Sequence, residues 1–185
     1  DWGRKRLDRL ISDHLAREGS LESARALAAS AGVENLVDLQ VFVDSNKISR
    51  ALCEGDCAPA LRWCGDNRAR LKKAKSSFEF SVRLQEFLEL VRKDCVDEAL
   101  VYAKKHLAPN ASTHLGEIKR CMAALAFRKE KQYADLFDEE RRRDLARQFK
   151  EAEYGMHAVA VQSVFTTVLQ AGMACLKCTQ CEEGG

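Results

Sequence analysis

The chain has 185 residues, of which 46% are hydrophobic and 31% charged, and its 30 basic and 28 acidic side chains leave a net charge of +2. That length allows one sizeable core or two small helical modules, and so even a charge balance excludes a partner held by bulk electrostatics alone, whether nucleic acid or an anionic membrane. Two prolines and ten glycines interrupt segments rich in Leu, Ala, Glu, Lys and Arg, so the expectation is an all-α chain.

Leu7, Leu10, Ile11, His14 and Leu15 recur at the spacing of one helix face, and Gly19 is placed to end that helix. Ser20 reads as the cap of a second helix, whose inner stripe is Leu21, Ala24, Leu27, Ala28 and Ala31 and whose stop is Gly32. A hairpin this short cannot bury both apolar faces alone, so it needs a partner, either the rest of the chain or another subunit. A longer helix is expected from Leu36 to near Gly55, with Leu39, Phe42, Val43, Ile48, Ala51 and Leu52 turned inward. Asp56 or Cys57 caps the next, where Pro59 is tolerated in the first turn and Trp63 reads as a core anchor.

After the basic run Arg68, Arg70, Lys72, Lys73 and Lys75, the residues Phe80, Leu84, Phe87, Leu88 and Val91 repeat at helical spacing. Val96, Ala99, Leu100, Ala103 and Leu107 follow on another helix, closed by Pro109, and the stretch APNAST reads as a loop. Leu115, Ile118, Met122, Leu125 and Phe127 define one more amphipathic helix, and Asp138 opens a further one carrying Leu145 and Phe149. Between Glu153 and Lys177 there is no Asp, Glu, Lys or Arg. His157, Gln162, Ser163, Thr166, Thr167 and Gln170 interrupt that stretch, so it reads as a buried core helix pair over 156–176, with Ser163 as an N-cap, rather than a membrane span. The whole is about nine helices stacked as antiparallel hairpins in an elongated assembly.

The chain ends CLKCTQCEEGG, with Cys175, Cys178 and Cys181 at intervals that suit thiolate ligands. A tetrahedral zinc site draws four ligands, usually from two separated pairs, and no second pair exists here, so no complete metal site is expected within these residues. Cys64, Cys121 and Cys175 fall where helices turn small apolar side chains inward, which fits reduced thiols. No nucleophile elbow, phosphate loop, metalloprotease motif or EF-hand is present, so no catalytic residue is assigned. The basic run lacks a recognition helix or stacking platform, and an acidic protein partner or a solvated face is expected instead of nucleic acid. The start has no apolar h-region and no Met, which reads as a piece of a longer polypeptide.

RLISDHLAREGSLESARALAASAG resembles a LisH motif over residues 7–33, with Leu10, Ile11, Leu15, Gly19, Ala24 and Leu27 at its characteristic positions. It departs from the usual motif in carrying Ser20 and Leu21 where an aromatic follows the turn glycine, and His14 where tyrosine is common. Residues 34–93 are similar to a CTLH domain and 94–181, including SVFTTVLQAGMACLKCTQC, to a CRA region; LRWCGDN followed by SSFEFSVRLQEFLELVR most resembles the macrophage erythroblast attacher family. The resemblance implies a scaffold subunit of the multi-subunit GID/CTLH ubiquitin ligase, cytoplasmic and nuclear, without a nucleic-acid or membrane partner. It would pair as a homo- or hetero-dimer with the RING-bearing subunit and other LisH-CTLH-CRA subunits through Leu10, Ile11, His14, Leu15, Leu27, Val164, Phe165, Val168 and Leu169. It also implies that residues 182–185 lead towards a RING-like zinc module, with Cys181 alone aligning with a family cysteine. The alternatives are a membrane-anchored attachment protein using residues 156–176, and a helical adaptor without a ubiquitin role.

Overall fold

Every regular element found is helical, in a computed structural model that describes residues 2–128, 130–157, 160 and 162–176. Ten α-helices and four short 3-10 or π turns are present among the described residues, with no strand. They divide into two units, Asp1–Asn46 with Ala158–Gly185, and Lys47–His157.

The first unit opens with the expected hairpin of α1 (Trp2–Arg17) and α2 (Leu21–Ala31). The Gly19 N–H bonds the Ala16 carbonyl at 3.2 Å and the Ser20 N–H reaches back to Leu15 at 2.9 Å, closing α1 as a Schellman turn. That turn needs a left-handed residue, and Gly19 supplies it at φ +91°. Ser20 precedes α2, but its side chain makes no cap hydrogen bond. Ala16, Ala24 and Ala28 are fully buried, since side chains this small let two short helices close on each other. Val33, Val37 and Phe42 complete this core. The expected start at Leu36 is instead a 3-10 turn over Glu34–Leu36, and α3 runs Leu39–Glu54. Its first half belongs to this unit, as does α10 (Val164–Leu176), which packs on α1.

The second unit is built around α6 (Phe78–Arg92), where nine of fifteen residues are buried, so this helix is central rather than peripheral. On one side Phe80, Leu84, Phe87, Leu88 and Val91 meet α7 (Val96–Tyr102) and α8 (Ala111–Phe127) through Ala99, Ile118, Cys121 and Ala124. On the other, Phe78 and Val82 meet α4 (Ala58–Asp66), α5 (Arg68–Lys73) and α9 (Glu139–Met156) through Ala60, Cys64, Leu71, Leu145 and Phe149. Trp63 packs edge-on against Phe78 and Phe149 at 6.0 and 5.0 Å, as a core anchor should. Asp138 caps α9 by accepting from the Glu140 N–H, and Asp56 accepts from the Ala58 N–H just before α4.

Several expectations are corrected. APNAST is not a loop: a π turn at Ala103–Leu107 and a 3-10 turn at Ala108–Asn110 carry the chain directly into α8, Pro109 sitting where its missing N–H is tolerated. Val96, Leu100, Leu115 and Phe127 face solvent rather than inward. The expected buried pair over 156–176 is also not found. Met156 ends α9, and α10 has no buried residue at all. Cys175 on α10 is therefore exposed, whereas Cys64 and Cys121 are buried. Absence of charge does not by itself bury a helix, which is buried only where its neighbours cover it. The described residues contain no helix long and apolar enough to cross a membrane.

Candidate functional site

The face formed by α1 and α10 gathers most of the residues singled out in the sequence. Ser163, just before α10, accepts the Thr166 N–H at 3.1 Å, the N-cap arrangement expected of it. The same hydroxyl lies 3.1 Å from His14 Nδ1 on α1, and the Thr166 hydroxyl lies 3.3 Å from that nitrogen. Phe165 covers the imidazole with ring centroids 5.2 Å apart. His14 is thus a packed, hydrogen-bonded side chain that fixes where α10 starts. One turn on, the Arg17 guanidinium pairs with Asp13 at 2.7 Å, donates to the Ala160 carbonyl and lies 5.1 Å over the Phe42 ring. Asn46 donates to the Ala16 carbonyl at 2.8 Å, satisfying a C-terminal carbonyl of α1.

Leu10, Ile11, His14, Leu15, Leu27 and Phe165 are half-buried, while Val164, Val168 and Leu169 are exposed. Two residues that the pattern did not single out extend the exposed row, which rises from 47% exposure at Met173 to 89% at Leu176. With Val168 and Leu169 they share one stripe of α10 at helical spacing. Trp2 and Leu7 of α1 are exposed as well. Contiguous apolar surface of this kind marks an interaction site, because water gains when a partner covers it. The Ser163 and Thr166 hydroxyls were missed as partners of His14, although Ser-x-x-Thr at a helix start was a readable cap signal.

The second unit holds a buried polar network rather than a reactive one. Arg142 donates to both Glu89 oxygens at 2.8 and 2.5 Å, Gln85 donates to Glu89 at 2.7 Å, and Arg141 donates to Gln85 at 3.0 Å. Burial alone would raise the Glu89 carboxyl, but the Arg142 and Gln85 hydrogen bonds outweigh it and hold the group below the usual carboxylate range. Burial pushes the Cys57 and Cys64 thiols up to about 12 and that of Cys121 to about 11, so none supplies a thiolate at neutral pH. Among the described residues no group of three or more His, Cys, Asp or Glu could hold a metal ion. Cys178 and Cys181 lie outside the described residues.

The uncovered apolar row on α10 is the kind of surface through which a helical module contacts other proteins. The family described as the CTLH/CRA C-terminal to LisH motif domain matches residues 41–180. The chain is 38% identical over 186 residues to Protein fyv10 of Aspergillus niger, covering 97% of this chain and 46% of that protein. It is 38% identical over 183 residues to the Protein MAEA homolog of Arabidopsis thaliana, covering 96% and 44%, and 36% identical to Protein FYV10 of Coccidioides immitis, covering 97% and 46%. The chain belongs to the CTLH family, in the macrophage erythroblast attacher group. It spans less than half the length of these relatives.

Proposed function

We propose that this chain is an assembly subunit of a multi-subunit RING-type ubiquitin ligase, and that α1 and α10 pair with a RING-bearing subunit of the same complex. Family membership supports the class. The observation that carries the pairing is the uncovered row Val164, Val168, Leu169, Met173 and Leu176 on α10. Leu10, Ile11, Leu15 and Leu27 flank it as half-buried side chains that a partner helix would finish covering. Covering one such aliphatic side chain stabilises a complex by about 1.5–3 kcal/mol, so a row of them sustains a lasting interface even after the entropy of association is deducted. The chain supplies positioning, and the ligase chemistry belongs to RING-like zinc modules downstream of Cys181 and on the partner. Other LisH-CTLH-CRA subunits would pair by the same logic, in the cytoplasm and nucleus.

Co-expression of the full-length protein with the RING-bearing subunit tests this, followed by ubiquitin-chain formation with a charged conjugating enzyme. The expected result is a stable pair whose activity falls when Val168→Asp and Leu169→Asp are introduced together. A stable pair without any ubiquitin transfer would leave a helical adaptor, and failure to pair would remove the reading altogether.

A further inference from the structure

The basic run at the end of α5 stands apart electrostatically. Arg141, Arg142, Arg143 and Arg147 each bond a carboxylate or amide of this chain. Arg68, Arg70, Lys72, Lys73 and Lys75 are all exposed, and among the described residues none makes an ion pair or side-chain hydrogen bond. The turn that follows holds them together, the Lys75 N–H bonding Lys72 at 3.1 Å and the Ser76 N–H bonding Leu71 at 3.0 Å. Beside this cluster lies an open groove of about 790 Å³ between α5 and the end of α9. Leu71, Ala74, Ala152 and Met156 give it an apolar floor, and Arg70 and Lys73 stand on its rim.

We propose that this groove docks an acidic polypeptide segment carrying an aliphatic anchor. The carboxylates would meet Arg70, Lys73 and their neighbours, and the anchor would drop between Leu71 and Met156. Cations with no partner among the described residues can be recruited without breaking a described internal pair, and charge-assisted hydrogen bonds to carboxylates then set orientation and rate of association. Nucleic acid fits less well. A six-residue helix spans about 9 Å, too little to follow several phosphates. Trp63, on the preceding helix, is engaged with Phe78 and Phe149 instead of being free to stack on a base. The proposal goes beyond the assembly reading, since it concerns different residues and a different unit.

Fluorescence anisotropy of a fluorescein-labelled peptide of repeated Glu-Glu-Leu-Glu units, titrated with the chain at low ionic strength, tests it. Arg70→Glu combined with Lys73→Glu should weaken binding about tenfold or more. Gly155→Trp should weaken it by a similar factor, because a Cβ at Gly155 meets nothing within 4 Å and the indole would fill the groove without straining the helix. Gly155→Ala and the double variant Val168→Asp, Leu169→Asp should bind as the parent does, which separates this groove from the α10 face. The proposal is overturned if the peptide does not bind, or if its Gln-for-Glu counterpart binds equally. It is overturned as well if Gly155→Trp leaves affinity unchanged with helicity intact, or if only a single-stranded oligonucleotide binds.

Discussion

Ser163 Oγ lies 3.1 Å from His14 Nδ1, joining residues 149 positions apart in the chain. The same oxygen caps α10, so one hydroxyl both starts that helix and ties it to α1. Ser163→Ala should cost about 1 kcal/mol in thermal or urea unfolding. The amides of the first turn of α10 should also exchange faster while those of α2 do not change. Unaltered exchange at Thr166 would show that the cap contributes nothing.

Arg142 grips Glu89 within the second unit, where both side chains are largely buried. Arg142→Ala leaves the buried Glu89 carboxylate with only the Gln85 amide and the Arg92 guanidinium 3.6 Å away, and should destabilise by about 3 kcal/mol, measured by urea unfolding. A loss below about 1 kcal/mol would place the pair with exposed ion pairs.

Gly55 explains how that pair is accommodated. A Cβ there would stand 2.7 Å from Arg142 Nη2 and 3.2 Å from the Glu89 carboxyl carbon, on a backbone with φ +87°. Gly55→Ala should therefore destabilise by about 1–3 kcal/mol. The same change at Gly116, where nothing lies within 4 Å, should be neutral or stabilising.

Acid sensitivity follows from the lowered Glu89 carboxyl. The unfolded chain protonates this group near the ordinary value of about 4.3, whereas the folded chain resists until lower pH. Its stabilisation is complete above that range and is lost as pH falls through the folded value. Urea midpoints of the parent should fall more steeply below about pH 5 than those of Glu89→Gln. Parallel curves would remove Glu89 from the acid response.

Lys75 occupies the left-handed region at φ +50°, where a side chain is strained. Lys75→Gly should raise stability by about 0.5–1 kcal/mol, read from the urea midpoint. A decrease would mean that its side chain packs favourably enough to offset the strain.

Much of this was legible in the residues. Gly19 and Gly32 marked real helix ends, Ser163 and Asp138 real caps, and the alanine stripe of α2 a close-packed hairpin. These are local signals, read from a few neighbouring residues. The placing of α6 and α10 was not local. α6 carries Glu79, Arg83, Glu86, Glu89 and Arg92 yet is central, because Arg142 from α9 pairs with its most buried carboxylate and Gln85 one turn away donates a hydrogen bond to it. α10 carries no charge before Lys177 yet stays open, because among the described residues the helix packed most closely on it is α1, which covers one side. Pairing across long sequence separations, such as Gln85 with Arg141, leaves no periodic trace. The groove beside α5 leaves no trace in the sequence for the same reason, since its two walls are distant along the chain.

The central claim is that the exposed row of α10 is covered by a partner subunit. It is tested most directly by the equilibrium affinity of the full-length protein for the RING-bearing subunit, compared between the parent and the Leu169→Ala and Val168→Asp variants. The prediction is a loss of about 1.5–3 kcal/mol for Leu169→Ala, roughly ten- to a hundredfold in Kd, and no measurable binding for Val168→Asp, each variant keeping its helicity. Equal affinity for all three proteins would contradict it.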